Sequence, residues 1–113
     1  MGELTKRKCE ACRAGALRVT EEEISKYKPA IPDWEIKEID GIKRLTRMFK
    51  FKNFREALSF TDKVGTIAEE EGHHPSIVTE WGKVTVSWWT HAIRGLHIND
   101  FIMASKTDAL YKC

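Results

Sequence analysis

Residues 34–52 read WEIKEIDGIKRLTRMFKFK, and this stretch decides the fold. Trp34, Ile36 and Ile39 stand among Glu35, Lys37 and Glu38, an alternation that slips only at its last step. Asp40-Gly41 follows, a pair suited to the two-residue turn whose central residues both take positive φ. From Ile42 to Lys52 the chain alternates again, most cleanly through Met48-Phe49-Lys50-Phe51. Two antiparallel strands joined by a tight turn are expected. One face should be apolar and the other basic, carrying Lys43, Arg47, Lys50 and Lys52.

The flanks supply helices. Before the hairpin, Thr20 and Glu23 have the capping-box spacing, so a short helix should run from Glu21 to Lys28 and stop before Pro29. After it, Asn53 and Glu56 repeat the capping pattern. Phe54, Ala57, Leu58, Val64, Ile67 and Ala68 then recur at helical spacing, and Gly72 suits a left-handed C-terminal position. Ser76 to Trp81, a turn at Gly82-Lys83, and Val84 to Thr90 read as a second hairpin. Ile93 to Leu96 reads as a loop, and a last helix should span Ile98 to Tyr111 with His97 as its cap. The order α-β-β-α-β-β-α predicts an α+β fold, a four-stranded antiparallel sheet from two β-hairpins with three helices packed on one face. Residues 1–19 lack periodicity and read as a weakly ordered leader, leaving residues 20–113 as a single domain.

Composition narrows the function classes. A chain of 113 residues suits one domain, and its 42% hydrophobic content is enough for one core. The net charge of +2 is too small to argue for a nucleic-acid partner. Five basic residues (Lys6, Arg7, Lys8, Arg13, Arg18) against Glu3 and Glu10 make only a short, solvated basic leader. No apolar run reaches the roughly 20 residues of a membrane helix, and the start has no secretory apolar core. Three cysteines, an odd number, point to free thiols in a reducing compartment, so a cytoplasmic location is expected. Cys9 and Cys12 make half of a zinc or redox motif with no second pair.

The chemistry concentrates late in the chain. All four histidines, His73, His74, His91 and His97, fall within one quarter of it. Imidazole titrates near pH 6.5 (about 6.5 in model peptides), so it gives or takes a proton readily at neutrality. Pro75 biases His74 away from helical angles, which places the pair by backbone rather than by long side chains. His73, His74, His91 and Asp100 all lie at ends of predicted elements, where they can converge on one rim of the sheet. Such a set suits general acid–base catalysis. A metal site is the rival. Adjacent histidines point in different directions, however, and neither the helical zinc motif nor a finger spacing is present. No metal is expected. Asp100 also fits the third helical position after His97, as a capping-box acid. Glu69 lies one helical turn before His73, within expected reach of it.

The run Glu69-Glu70-Glu71-Gly72-His73-His74-Pro75, then Trp81, Thr90-His91, Gly95-Leu96 and Asp100, resembles the signature of the pterin-4a-carbinolamine dehydratases. The similarity extends from about Thr20 to the C-terminus and includes Pro32-Asp33-Trp34 and Phe49-Lys50-Phe51; the leader looks like that of bacterial members. The resemblance implies a lyase that dehydrates 4a-hydroxytetrahydropterin to quinonoid dihydropterin, recycling the cofactor of aromatic amino-acid hydroxylases. It implies no cofactor and no metal, a pterin as the small-molecule partner, and a homodimer or homotetramer. By position, His73, His74 and His91 would be the active-site histidines, with Glu69, Pro75 and Asp100 supporting them or binding substrate. His73 and His91 would move protons and His74 would hold the pterin ring. Two positions depart from the pattern: His97 replaces the usual Ser or Thr, and Trp88-Trp89 is bulkier than the usual pair before Thr-His.

A different class shares the fold. Animal relatives double as dimerisation cofactors of a transcription factor, so the alternative is a non-catalytic protein-binding module. Such a module would be indifferent to loss of the histidines. Binding of nucleic acid on the basic sheet face is the weakest option, because basic and aromatic residues do not interleave there as a stacking platform requires.

Overall fold

The structure, a computed structural model, describes residues 18–112; the expected leader, with Cys9 and Cys12, lies outside the described residues apart from Arg18 and Val19. Helix α1 spans Glu21–Tyr27 and is followed by a 3-10 turn, Lys28–Ala30. Strands β1 (Glu35–Ile39) and β2 (Ile42–Lys50) form the first hairpin, α2 spans Phe54–Glu71, β3 (Ser76–Glu80) and β4 (Lys83–Trp88) form the second, and α3 spans Ile98–Lys112. The expected α+β order is present.

Local chemistry accounts for the boundaries. Thr20 Oγ1 accepts from Glu23 N while Glu23 Oε1 accepts from Thr20 N, the reciprocal cap that starts α1. Asn53 Oδ1 accepts from Glu56 N and starts α2. Asp40 and Gly41 take φ of 54° and 77°, the mirror-image turn whose twist matches the flanking strands.

The four strands lie in the order β1-β2-β4-β3, all antiparallel, so the two hairpins join through their second strands. Leu45 and Phe49 of β2 and Val84, Val86 and Trp88 of β4 are buried beneath α2 and α3, where Phe60, Val64, Phe101 and Ile102 meet them. Tyr27 of α1 packs on Phe101 at 5.8 Å between ring centroids, so the short helix joins the same layer. Among the described residues no helix is long and apolar enough to cross a membrane.

One expectation about the sheet is corrected. Lys43 and Arg47 do not lie on the face opposite the core, because odd positions of β2 share the face of Leu45 and Phe49. Arg47 is tolerated there because Asp108 of α3 meets it at 2.6 Å and Asp33 at 3.7 Å. Trp34 Nε1 donates to the same Asp108 oxygen at 2.8 Å. Burial still pushes the Asp108 carboxyl above its ordinary range, against the pull of Trp34 and Arg47. Lys43 sits at the margin, 3.5 Å from Glu21. The even positions Arg44, Thr46, Met48 and Lys50 form the outer face.

Candidate active site

The site is built where α2 ends, β4 ends and α3 begins. Gly72 closes α2 with φ of 63°, and its N–H bonds to Ala68 O and Glu69 O. The His73 N–H also returns to Ala68 O, at 3.1 Å. This left-handed exit turns the chain back under its own helix. His73 is thereby directed inward, only 4% exposed, and its ring stacks parallel to Trp88 with centroids 5.8 Å apart. The next residue, His74, stays on the surface.

That alternation separates two histidine–carboxylate pairs. His73 Nε2 lies 2.7 Å from Asp100 Oδ1, both side chains buried. His74 Nε2 lies 2.6 Å from Glu69 Oε1, both exposed. The expected reach of Glu69 to His73 is thus replaced by a contact with His74. The Gly72 turn carries His73 beneath the helix end and swings His74 back along it. Pro75 follows, partly buried, and β3 begins at once with Ser76.

Asp100 is the junction of the site. As the third residue of α3 it accepts the His97 N–H on Oδ2 at 2.9 Å, while His97 Nδ1 accepts from Asn99 N at 3.1 Å. The histidine cap and the capping-box acid expected from sequence are both in place. The same Oδ2 accepts from Thr90 Oγ1 at 2.9 Å. One buried carboxylate therefore binds His73, the residue before His91, and the start of α3. A buried carboxylate with several donors is stable only because each oxygen is used.

His91 opens a three-residue 3-10 turn, His91–Ile93, and is exposed. Its backbone is fixed by the bridge between Thr90 and Gly95, whose N–H and O groups pair at 2.9 and 3.4 Å. Its ring packs on Trp89 at 4.5 Å. Thr90 and Trp88 stand out in the sequence only as part of the signature and as a bulky departure from it; the bond of the Thr90 hydroxyl to Asp100 and the stacking of Trp88 on His73 are not readable there. A threonine next to a histidine and a tryptophan at a core position carry no signal of their own. Among the described residues no group of three or more His, Cys, Asp or Glu side chains is arranged to hold a metal ion.

This arrangement supplies an aromatic wall, a histidine with a buried carboxylate, and two accessible imidazoles. Comparison with known proteins shows the family. Residues 17–110 match the family model described as pterin 4 alpha carbinolamine dehydratase. A relative from Syntrophotalea carbinolica is 60% identical over 110 residues, covering 97% of this chain and 98% of its own. Another from Nitrosococcus oceani is 61% identical over 112 residues, covering 99% of each. Both carry the provisional name pterin-4-alpha-carbinolamine dehydratase. A solved transcriptional coactivator/pterin dehydratase from Brucella melitensis superposes with a TM-score of 0.74 at 34% identity, over 83% of this chain and 98% of that one. A pterin dehydratase-like RuBisCO assembly factor of the alpha-carboxysome shares the fold, with a TM-score of 0.60 at 22% identity, over 70% of this chain and 89% of its own. The chain belongs to the pterin 4 alpha carbinolamine dehydratase family, and with it to the carbinolamine dehydratase class of enzymes.

Proposed function

We propose that the protein removes water from a 4a-hydroxytetrahydropterin by histidine general acid–base catalysis. The observation that carries this reading is the Asp100 carboxylate, which ties buried His73 to the Thr90-His91 step. The C4a–O bond breaks as an imidazolium gives its proton to the departing hydroxyl, and water leaves. The N5 proton passes to a neutral imidazole, and the electrons of the N5–H bond form the C4a–N5 double bond of the quinonoid product. One proton is given and one is taken over the cycle, so the two imidazoles need no net supply of acid or base.

His73 and His91 take the proton transfers in this reading. Asp100 holds the His73 ring in one orientation and stabilises its charged form, as the carboxylate of a catalytic triad does. His74, exposed and steered by Glu69, holds the pterin ring, with Pro75 fixing the start of β3 beneath it. The quinonoid product is the species a reductase must accept to regenerate tetrahydropterin for aromatic amino-acid hydroxylation. A homodimer or homotetramer is the setting that the family resemblance supports, and the odd number of cysteines supports a reducing, cytoplasmic one.

A second reading is favoured by the name of the Brucella melitensis relative, which joins coactivator to dehydratase. In that reading the chain is a protein-binding module and the histidines are idle. Turnover of 4a-hydroxytetrahydropterin by the purified protein and by His73→Ala decides between them. The enzyme reading expects turnover by the protein and a fall of about 10²–10⁴-fold in the variant. No turnover above the uncatalysed rate by the purified protein would leave the binding module, and equal turnover with and without His73 would remove that histidine from the proton transfers.

A further inference from the structure

Trp89 lies just past the end of β4, and the register that pairs Leu45 with Trp88 sets it opposite Arg44. Both side chains belong to the outer face of the sheet, away from the core. The Arg44 guanidinium carbon stands 4.1 Å from the Trp89 ring centroid, and the His91 ring lies 4.5 Å from it on the other count, tilted by 36°. A single indole is thus in contact with a cation and with an active-site imidazole.

The cation is held at a cost. Arg44 Nε is buried and, among the buried side-chain nitrogens and oxygens of the described residues, is the one without a hydrogen-bond partner. Arg44 also faces Lys37 across the β1–β2 ladder, a like-charge pairing that weakens a sheet. A buried donor left unsatisfied is destabilising and calls for a reason. Stability supplies none, since a neutral side chain at position 44 would avoid both penalties. What the stack achieves is to fix the Trp89 ring, because a guanidinium over an indole face is an oriented contact.

His91 needs that restraint. It is exposed and sits on a 3-10 turn of only three residues, which ends at Arg94 with a positive φ of 50°. Such a turn fixes the backbone but leaves an exposed imidazole several rotamers. Misplacement of a reacting group by about 1 Å is enough to cost about 100-fold in rate.

We infer that Arg44 and Trp89 are positioning residues for His91, a clamp in which the guanidinium fixes the indole and the indole fixes the imidazole. The inference rests on the proposed role of His91 in proton transfer. It explains why Trp89 is large at a place where a small side chain would satisfy the sheet.

Kinetics and proton NMR of Trp89→Ala, Trp89→Phe, Arg44→Gln, His91→Ala and the double variant Trp89→Ala/His91→Ala test it. Trp89→Ala should lower kcat about 10–100-fold with KM within about twofold, and Trp89→Phe should restore most of the loss. Arg44→Gln should lower kcat several-fold and shift the His91 ring protons as the indole loosens, a readout available even if Trp89→Ala does not fold. The double variant should be no slower than His91→Ala, since the clamp acts only through that ring. An impaired His91→Ala beside fully active Trp89→Ala and Arg44→Gln overturns the clamp and spares the proposed site. A fully active His91→Ala overturns the proposed role of His91 and the clamp with it.

Discussion

His73 Nε2 and Asp100 Oδ1 are 2.7 Å apart, and solvent reaches almost none of either side chain. The pairing joins residues 27 apart in the chain, one just past the end of α2 and the other in the first turn of α3. Asp100 is at once a helix cap and the partner of a histidine, so the start of α3 and the geometry of the site depend on one carboxylate.

Asp100→Asn separates charge from shape. The amide keeps the size and one acceptor but cannot stabilise an imidazolium. Turnover should fall about 10²–10⁴-fold, and the cap and Thr90 bonds, losing a charged acceptor, should cost about 1–3 kcal/mol in urea unfolding. Normal turnover in a folded Asp100→Asn protein would reduce the carboxylate to a cap.

Glu69→Gln addresses the exposed pair. Glu69 and His74 are 79% and 59% exposed, so their contact contributes little to folding, with a change below about 0.5 kcal/mol. If His74 holds the substrate, KM should rise several-fold while kcat changes less, the pattern of lost ground-state binding. A loss confined to kcat would move His74 into the proton-transfer steps.

Much of this was legible beforehand, for identifiable reasons. Asp40-Gly41, the caps at Thr20 and Asn53 and the glycine at 72 are local signals, and each falls where the chain turns or a helix starts or stops. His97 and Asp100 were likewise readable as a cap, because a capping box is a matter of sequence spacing. The partner of Glu69 was not. One helical turn separates Glu69 from His73, but the direction of each ring depends on the backbone angles of Gly72. The placement of Arg47 was missed for a different reason. Charge in a strand suggests solvent, whereas this arginine meets Asp108, which lies 61 residues away in α3. Long-range compensation of that kind leaves no trace in local periodicity.

The Asp108 cluster gives a pH prediction. Burial raises the Asp108 carboxyl above its unfolded value of 3.8, so the folded state holds that proton more tightly than the unfolded chain does. Its contribution is fully present below the unfolded value and is lost as pH rises through the folded one. Measured by urea unfolding, the stability of the protein relative to Asp108→Asn should therefore decline through the acid range and level off above it. A relative stability that grows with pH would mean that the bond to Arg47 outweighs desolvation.

The central claim is that this site dehydrates a pterin carbinolamine through its histidines, and single-turnover stopped flow on His91→Ala tests it most directly. His91 is exposed, so its loss should leave the melting temperature within about 2 °C of the parent. The account predicts that conversion of 4a-hydroxytetrahydropterin slows by about 10²–10⁴-fold in that intact fold. Conversion at the parent rate by a folded His91→Ala protein would contradict it.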